Sequence, residues 1–162
     1  MKDLPGSGER IVPMSFQRNK SMPRVGAAMT PFPYFTRPQD NVEKVERMMN
    51  EHEIRHIPVL EDGRVVGIVS ERDFHIPVSP VLPKIDKQQI LVRDVAFYDP
   101  YVVEIDTPLD QVVSKMAEDR IGSAIVVKKG KLVGILSVID VCHVLADLLK
   151  GLFPTPEEDD AA

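Results

Sequence analysis

Two aspartates in this chain sit in the same setting. Asp73 closes Gly67-Ile68-Val69-Ser70-Glu71-Arg72-Asp73, and Asp140 closes Gly134-Ile135-Leu136-Ser137-Val138-Ile139-Asp140. In both, a serine ends an apolar run and an acid follows three residues later, the spacing of a capping box that satisfies free amides in a helix's first turn. The same geometry can also bind. A strand feeding a helix N-terminus presents amides and a positive dipole to an anion. An acid in that turn can accept hydrogen bonds from ribose hydroxyls. The serine can cap the helix or meet a phosphate, and the glycine permits close backbone approach. The two readings are compatible, and it is the recurrence of the motif that moves the balance toward binding.

The recurrence extends well beyond the motif. Sliding the chain by 67 positions brings Val25–Asp73 over Val92–Asp140 without a gap, with fourteen identities in 49 positions. Each half carries an apolar stripe at helical spacing: Val42, Val45 and Met49 in one, Leu109, Val112, Val113 and Met116 in the other. Both stripes read as core. Two short apolar runs follow in each half, joined by Glu61-Asp62-Gly63-Arg64 or Lys128-Lys129-Gly130-Lys131, and these predict β-hairpins with glycine at positive φ. A helix is expected after each hairpin, so each half reads strand, helix, strand, strand, helix. One such unit cannot cover both faces of its small sheet, whereas two can share a core. The expected class is α+β, with two β-α-β-β-α units packed sheet to sheet.

Composition removes several functions. The chain has 162 residues, a net charge of −5 and one cysteine, Cys142. An acidic chain is a poor nucleic-acid binder. One cysteine forms no internal disulfide or multi-cysteine zinc site and suits a reducing cytosol. No apolar run is long enough to span a membrane. His52, His75 and His143 lack metal-ligand spacing, and Cys142 and His143, as helix neighbours, point to different faces. No nucleophile, base or phosphate-loop pattern is present, so no catalytic residue, no metal and no required cofactor are expected. The chain reads as cytoplasmic and not as an enzyme. Pro77, Pro80 and Pro83 forbid a long helix after Asp73. After Asp140 a stripe of Val141, Val144, Leu145, Leu148 and Leu149 is expected to pack on the core or a partner, ended by Gly151 and Pro154.

The doubled hairpin and G-h-h-S-x-x-D motif, with Ala28-Met29-Thr30-Pro31 ahead of the first unit, resembles the CBS-domain pair, or Bateman module, over about Val25 to Leu149. The division is an extension at 1–22, a first CBS domain at 23–76, a Pro-containing linker at 77–91, a second at 92–150 and an acidic tail at 151–162. The resemblance implies two clefts, related by a pseudo-two-fold axis, that bind AMP, ADP, ATP or another adenosyl ligand such as S-adenosylmethionine. One cleft would use Ser137 and Asp140, faced by Thr30, Thr36, Arg55, His56, Ile57 and Pro58. The other would use Ser70, Arg72 and Asp73, faced by Gly122, Ser123 and Ala124. Arg55 and His56 favour a phosphorylated ligand in the first of these. The second departs from the family pattern, with Ala96 and Phe97 where Met29 and Thr30 stand. A free-standing sensor is implied: a homodimer that acts in trans on an unidentified protein, with no nucleic acid or membrane partner. The alternative is a structural adaptor that dimerises or docks a partner without nucleotide, its motifs kept only as caps.

Overall fold

A computed structural model describes residues 21–74 and 86–152. The proline-bearing stretch, His75 and the acidic tail beyond residue 152 lie outside the described residues.

Both apolar stripes form helices. In α1 (Val42–His52) the Asn41 side chain accepts from the Lys44 amide at 2.8 Å, which caps the first turn. Its inner face buries Val42, Val45 and Met49, and α2 (Leu109–Glu118) buries Leu109, Val112 and Met116 in the same way. Both helices stop alike. Glu53 and Arg120 take left-handed backbone (φ 53° and 58°), and the next amides, of Ile54 and Ile121, return to the carbonyls of Met49 and Met116.

The hairpins follow as expected. Strands β2 (His56–Glu61) and β3 (Arg64–Ser70) turn at Asp62-Gly63, while β5 (Ser123–Lys128) and β6 (Lys131–Ser137) turn at Lys129-Gly130. All four turn residues have positive φ, the geometry that matches strand twist in a two-residue hairpin loop. Each ladder slips once at equivalent positions, Val59/Leu60 and Val126/Val127.

The two units exchange their leading segments. Val25, from the start of the chain, is fully buried with Val112, Met116, Val126 and Leu136 of the second unit. Val92, 67 residues later, is fully buried with Val45, Met49, Val59 and Val69 of the first. Backbone bonds repeat the exchange: Val25 N to Thr107 O and Leu109 N to Pro23 O in one unit, Val92 N to Asp40 O and Val42 N to Ile90 O in the other. The same segments close the sheet edges. Strand β1 (Thr30–Pro31) adds to β6, giving the order β1-β6-β5-β4 with β4 (Val102–Glu104) parallel to β5. In the first unit the counterparts shrink to single bridges, Ile68 with Phe97 and Thr36 with Val59, flanking the two-stranded β2-β3 sheet. Sheet contact between β3 and β6 forms the seam of the pair.

One expectation needs correction, that Gly151 ends the last helix. The helix expected after the first hairpin opens, within the described residues, as a 3-10 turn, Glu71–Phe74. Its counterpart, α3 (Val138–Leu152), is a full helix that continues through Gly151, because an exposed glycine costs a helix only about 1 kcal/mol. The α3 stripe does not pack on the core: no α3 residue is buried, and Val144, Leu145, Leu148, Leu149 and Leu152 are exposed. Only the half-buried Val141 touches the second core. Among the described residues no helix is long and apolar enough to cross a membrane.

Candidate functional site

Asp140 sits at the third residue of α3, directly behind the end of β6. One carboxylate oxygen accepts from the Ser137 amide at 2.7 Å and from the Ser137 hydroxyl at 2.5 Å. The Asp140 amide returns a bond to the Ser137 hydroxyl oxygen at 3.2 Å, so the capping box is complete. The other oxygen, Oδ1, accepts from the Thr30 hydroxyl at 3.0 Å. The Thr30↔Ile135 register of β1 against β6 places that hydroxyl there. The sequence pairing of Thr30 with Asp140 is therefore realised across 110 residues. An ionised carboxylate has about four lone-pair positions. Three are used here, which leaves one for a further donor.

Asp73 repeats the cap but not the rest. One of its oxygens accepts from the Ser70 amide at 2.6 Å and from the Ser70 hydroxyl at 2.8 Å. Oδ1 meets no donor among the described residues. Phe97 occupies the position of Thr30: it pairs with Ile68 as Thr30 pairs with Ile135, and a ring replaces the hydroxyl. Glu71 and Arg72 stand where the helix start carries Val138 and Ile139. The Arg55 guanidinium is directed to Glu71 at 3.5 Å.

At the seam His56 and Gly122 meet. A Cβ on Gly122 would lie 3.0 Å from His56 Nε2, so the ring rests against bare backbone. Burial pushes the His56 imidazole below its ordinary value; Asp73 and Glu71 raise it in part, while Arg72 and Arg55 lower it further. His56 is thus neutral at pH 7. Within its own sheet it stands opposite Ser70.

Other expected site residues are not offered to a cleft. Thr36 is 1% exposed, and its hydroxyl donates to Asp40 at 2.9 Å while its amide bonds Pro58 O. The bridge to Val59 pulls it inward, which sequence spacing cannot reveal. Ile57 and Ala124 are fully buried core, Pro58 is buried beside them, and Ser123 is buried opposite Ser137 in the β5–β6 ladder. Their contact with a ligand would require the seam to open. Arg55, Arg72, Gly122 and Thr30 remain exposed.

Sequence reasoning missed two features. Met29 covers Gly134, where an added Cβ would fall 2.1 Å from the sulfur. Asp40 gathers Thr36, the Arg37 amide and Lys44. The repeat would have flagged the first, since Met29 is Ala96 in the other half. A cavity of about 540 Å³ lies away from both aspartates, between Phe35, Arg37 and Gln39 and the hairpin turn Leu60–Gly63. Arg37 is the one basic residue of that lining, which also carries Glu61 and Asp62, so it offers no converging cationic groups for a phosphate. His52 ends α1 and stacks on Tyr34 at 3.9 Å. Among the described residues no group of three or more His, Cys, Asp or Glu side chains is placed to hold a metal.

The family model for the CBS domain matches residues 25–75 and 92–147, and the chain belongs to that family as a tandem pair. A zinc metalloprotease of Methanocaldococcus jannaschii is 32% identical over 121 residues, 74% of this chain and 31% of that protein. An inosine-5'-monophosphate dehydrogenase of Korarchaeum cryptofilum is 31% identical over 107 residues, 65% of this chain and 21% of that protein. The chain thus spans a third or less of these relatives. Among solved structures, a protein of Vibrio cholerae named for acetoin utilization (AcuB) superposes with TM-score 0.69 at 26% identity, over 80% of this chain and 95% of that one. CBSX2 in complex with AMP superposes with TM-score 0.68 at 26% identity, over 77% of this chain and 97% of that one.

Proposed function

We propose that this CBS pair is a regulatory module that binds an adenosine nucleotide at the Asp140 cleft and reports it in trans to a partner protein. The observation that carries this is the Thr30–Asp140 contact, which joins the exchanged leader to a full helix N-terminus behind a carboxylate. Asp140 would take the ribose hydroxyls, and Ser137 and the first amides of α3 would favour a phosphate; Arg55, paired with Glu71, and His56, opposite Ser70, would instead serve the cleft of their own unit. Ser70, Arg72 and Asp73, with Gly122 across the seam, would line the second, related cleft. AMP is the leading ligand because a neighbour of the same fold was solved with it. ADP, ATP and S-adenosylmethionine share its adenosyl chemistry. The protein is read as cytoplasmic and not an enzyme. It is read as a homodimer whose interface covers the apolar face of α3.

One observation favours the adaptor reading. Both aspartates already serve as caps, and α3 presents an uncovered apolar surface. Thermal melting with AMP, ADP, ATP, S-adenosylmethionine and NAD separates the two readings, since a ligand at about 100 times its Kd adds about 2.7 kcal/mol. A rise with AMP that Asp140→Ala abolishes supports the sensor. No rise at millimolar nucleotide leaves the adaptor.

A further inference from the structure

A leading segment runs parallel to the first strand of each hairpin, and the two units close that edge differently. In the second unit Ile105 N donates to Val127 O at 2.9 Å, and Lys129 N reaches the Glu104 carboxylate at 3.3 Å. The residue equivalent to Ile105 is Pro38, which has no N–H to give. Leu60 stands where Val127 does, and its amide bonds Thr36 O, so its polar edge faces the leader. Its carbonyl lacks the donor that Ile105 supplies in the other unit. Beside it lies the cavity of about 540 Å³ lined by Phe35, Arg37, Gln39 and the turn Leu60–Gly63.

The charged groups around that cavity do not neutralise one another. Arg37, Gln39, Glu61 and Asp62 stand where the other unit has Glu104, Asp106, Lys128 and Lys129. None of these four side chains makes a hydrogen bond or ion pair among the described residues. Arg37 pairs with neither acid, although all three line one space, and Arg64, across the ladder from Glu61, does not pair with it. Glu61, Asp62 and the Leu60 carbonyl are acceptors suited to an ammonium, while the planar Arg37 fork suits a carboxylate. Phe35, 48% exposed, adds a ring face for apolar contact. A phosphate would meet two acids and a single cation, and a simple cation would leave Arg37 unmatched. A small zwitterion answers both signs, and the volume falls within the range of about 300–1,000 Å³ usual for small-molecule sites.

We propose that this cavity binds a free α-amino acid with an apolar side chain. The ammonium lies on Glu61, Asp62 and the Leu60 carbonyl, the carboxylate on Arg37, and the side chain against Phe35. The site is separate from both aspartate clefts and takes another class of ligand, so it stands or falls independently of nucleotide binding.

Nuclear magnetic resonance titration of the full chain with L-phenylalanine and L-leucine, at millimolar concentration, tests the assignment. Saturable shifts are expected at the amides of Gln39, Leu60, Asp62 and Gly63, and none at Ser137 or Asp140. N-acetyl-L-phenylalanine, without the ammonium, and L-phenylalaninamide, without the carboxylate, should each bind about tenfold more weakly, as loss of a charged hydrogen bond does. Arg37→Gln should erase the preference for L-phenylalanine over its amide, and Glu61→Gln with Asp62→Asn the preference over the N-acetyl compound. These side chains are exposed, so both variants should keep their melting points within about 2 °C. Absence of saturable shifts around the cavity with both amino acids overturns the proposal. Equal binding of the N-acetyl compound by unmutated protein overturns it too, as does unchanged L-phenylalanine affinity in both variants.

Discussion

After Ser137 the chain enters a fifteen-residue helix, and after Ser70 the described residues make a 3-10 turn, Glu71–Phe74. In both places the serine amide and hydroxyl bond one aspartate oxygen, but only Asp140 returns its amide to the serine, at 3.2 Å. Val138, Ile139 and Val141 follow one serine and Glu71, Arg72 and Phe74 the other, with Phe74 buried in the first core. The lesson is chemical as well as structural. A duplicated unit keeps its hairpins, helix stops and bulges in step, and diverges at the edge strand and the helix mouth, where a ligand would sit.

The largest test of this pairing concerns the exchanged leaders. Val25→Asp and Val92→Asp each place an unpaired charge in a fully buried site supplied by the opposite half. Each should cost more than about 4 kcal/mol and abolish cooperative melting of the whole chain. Survival of one unit's transition in calorimetry would show that the halves fold independently.

A smaller contrast lies at the paired glycines. A Cβ at Gly67 would fall 2.8 Å from the Phe97 carbonyl oxygen, which is fixed backbone, while at Gly134 it meets the side chain of Met29. Gly67→Ala should cost about 1–3 kcal/mol in urea unfolding, and Gly134→Ala less, because a methionine can repack. Adding Met29→Ala to Gly134→Ala should recover most of the loss. The reverse order would place the rigid contact in the wrong unit.

The caps differ less. Removing either carboxylate should cost about 1 kcal/mol. Asp140→Ala should cost the more, since a full helix and the Thr30 bond depend on it. Equal losses in matched chemical denaturation would mean that Thr30 adds nothing.

The smallest effect concerns pH at the seam. His56 is held neutral by burial against Gly122, so its folded value lies below the unfolded one near 6.5. Between those values the unfolded chain binds more protons. The stabilisation is therefore complete above the unfolded value and is lost as pH falls through it toward the folded value. Urea midpoints should drop between about pH 7.5 and 5.5, and His56→Gln should flatten that drop. An unchanged slope would remove His56 from the account.

Much of the architecture was legible because a duplication repeats its turn chemistry. Asp62-Gly63 and Lys129-Gly130 announce hairpins, and the stripes around Val45 and Val112 announce buried helices. The exchange was not legible. Sliding the chain on itself aligns Val25 with Val92 but does not say that each serves the other unit. In the site, Thr30, Ser137 and Asp140 were readable as a group because motif and register agree. Thr36 was misplaced because one bridge to Val59 turns it into the core. Phe97 was visible as a departure from the pattern, but its exposed place at the mouth depends on a single bridge to Ile68.

Titrating AMP into unmutated, Asp140→Ala and Asp73→Ala protein tests the account most directly. The expected result is tight uptake of one AMP per chain that Asp140→Ala eliminates and Asp73→Ala leaves within about threefold, since sites lacking shared partners respond independently. AMP uptake that survives Asp140→Ala but is lost in Asp73→Ala would contradict it.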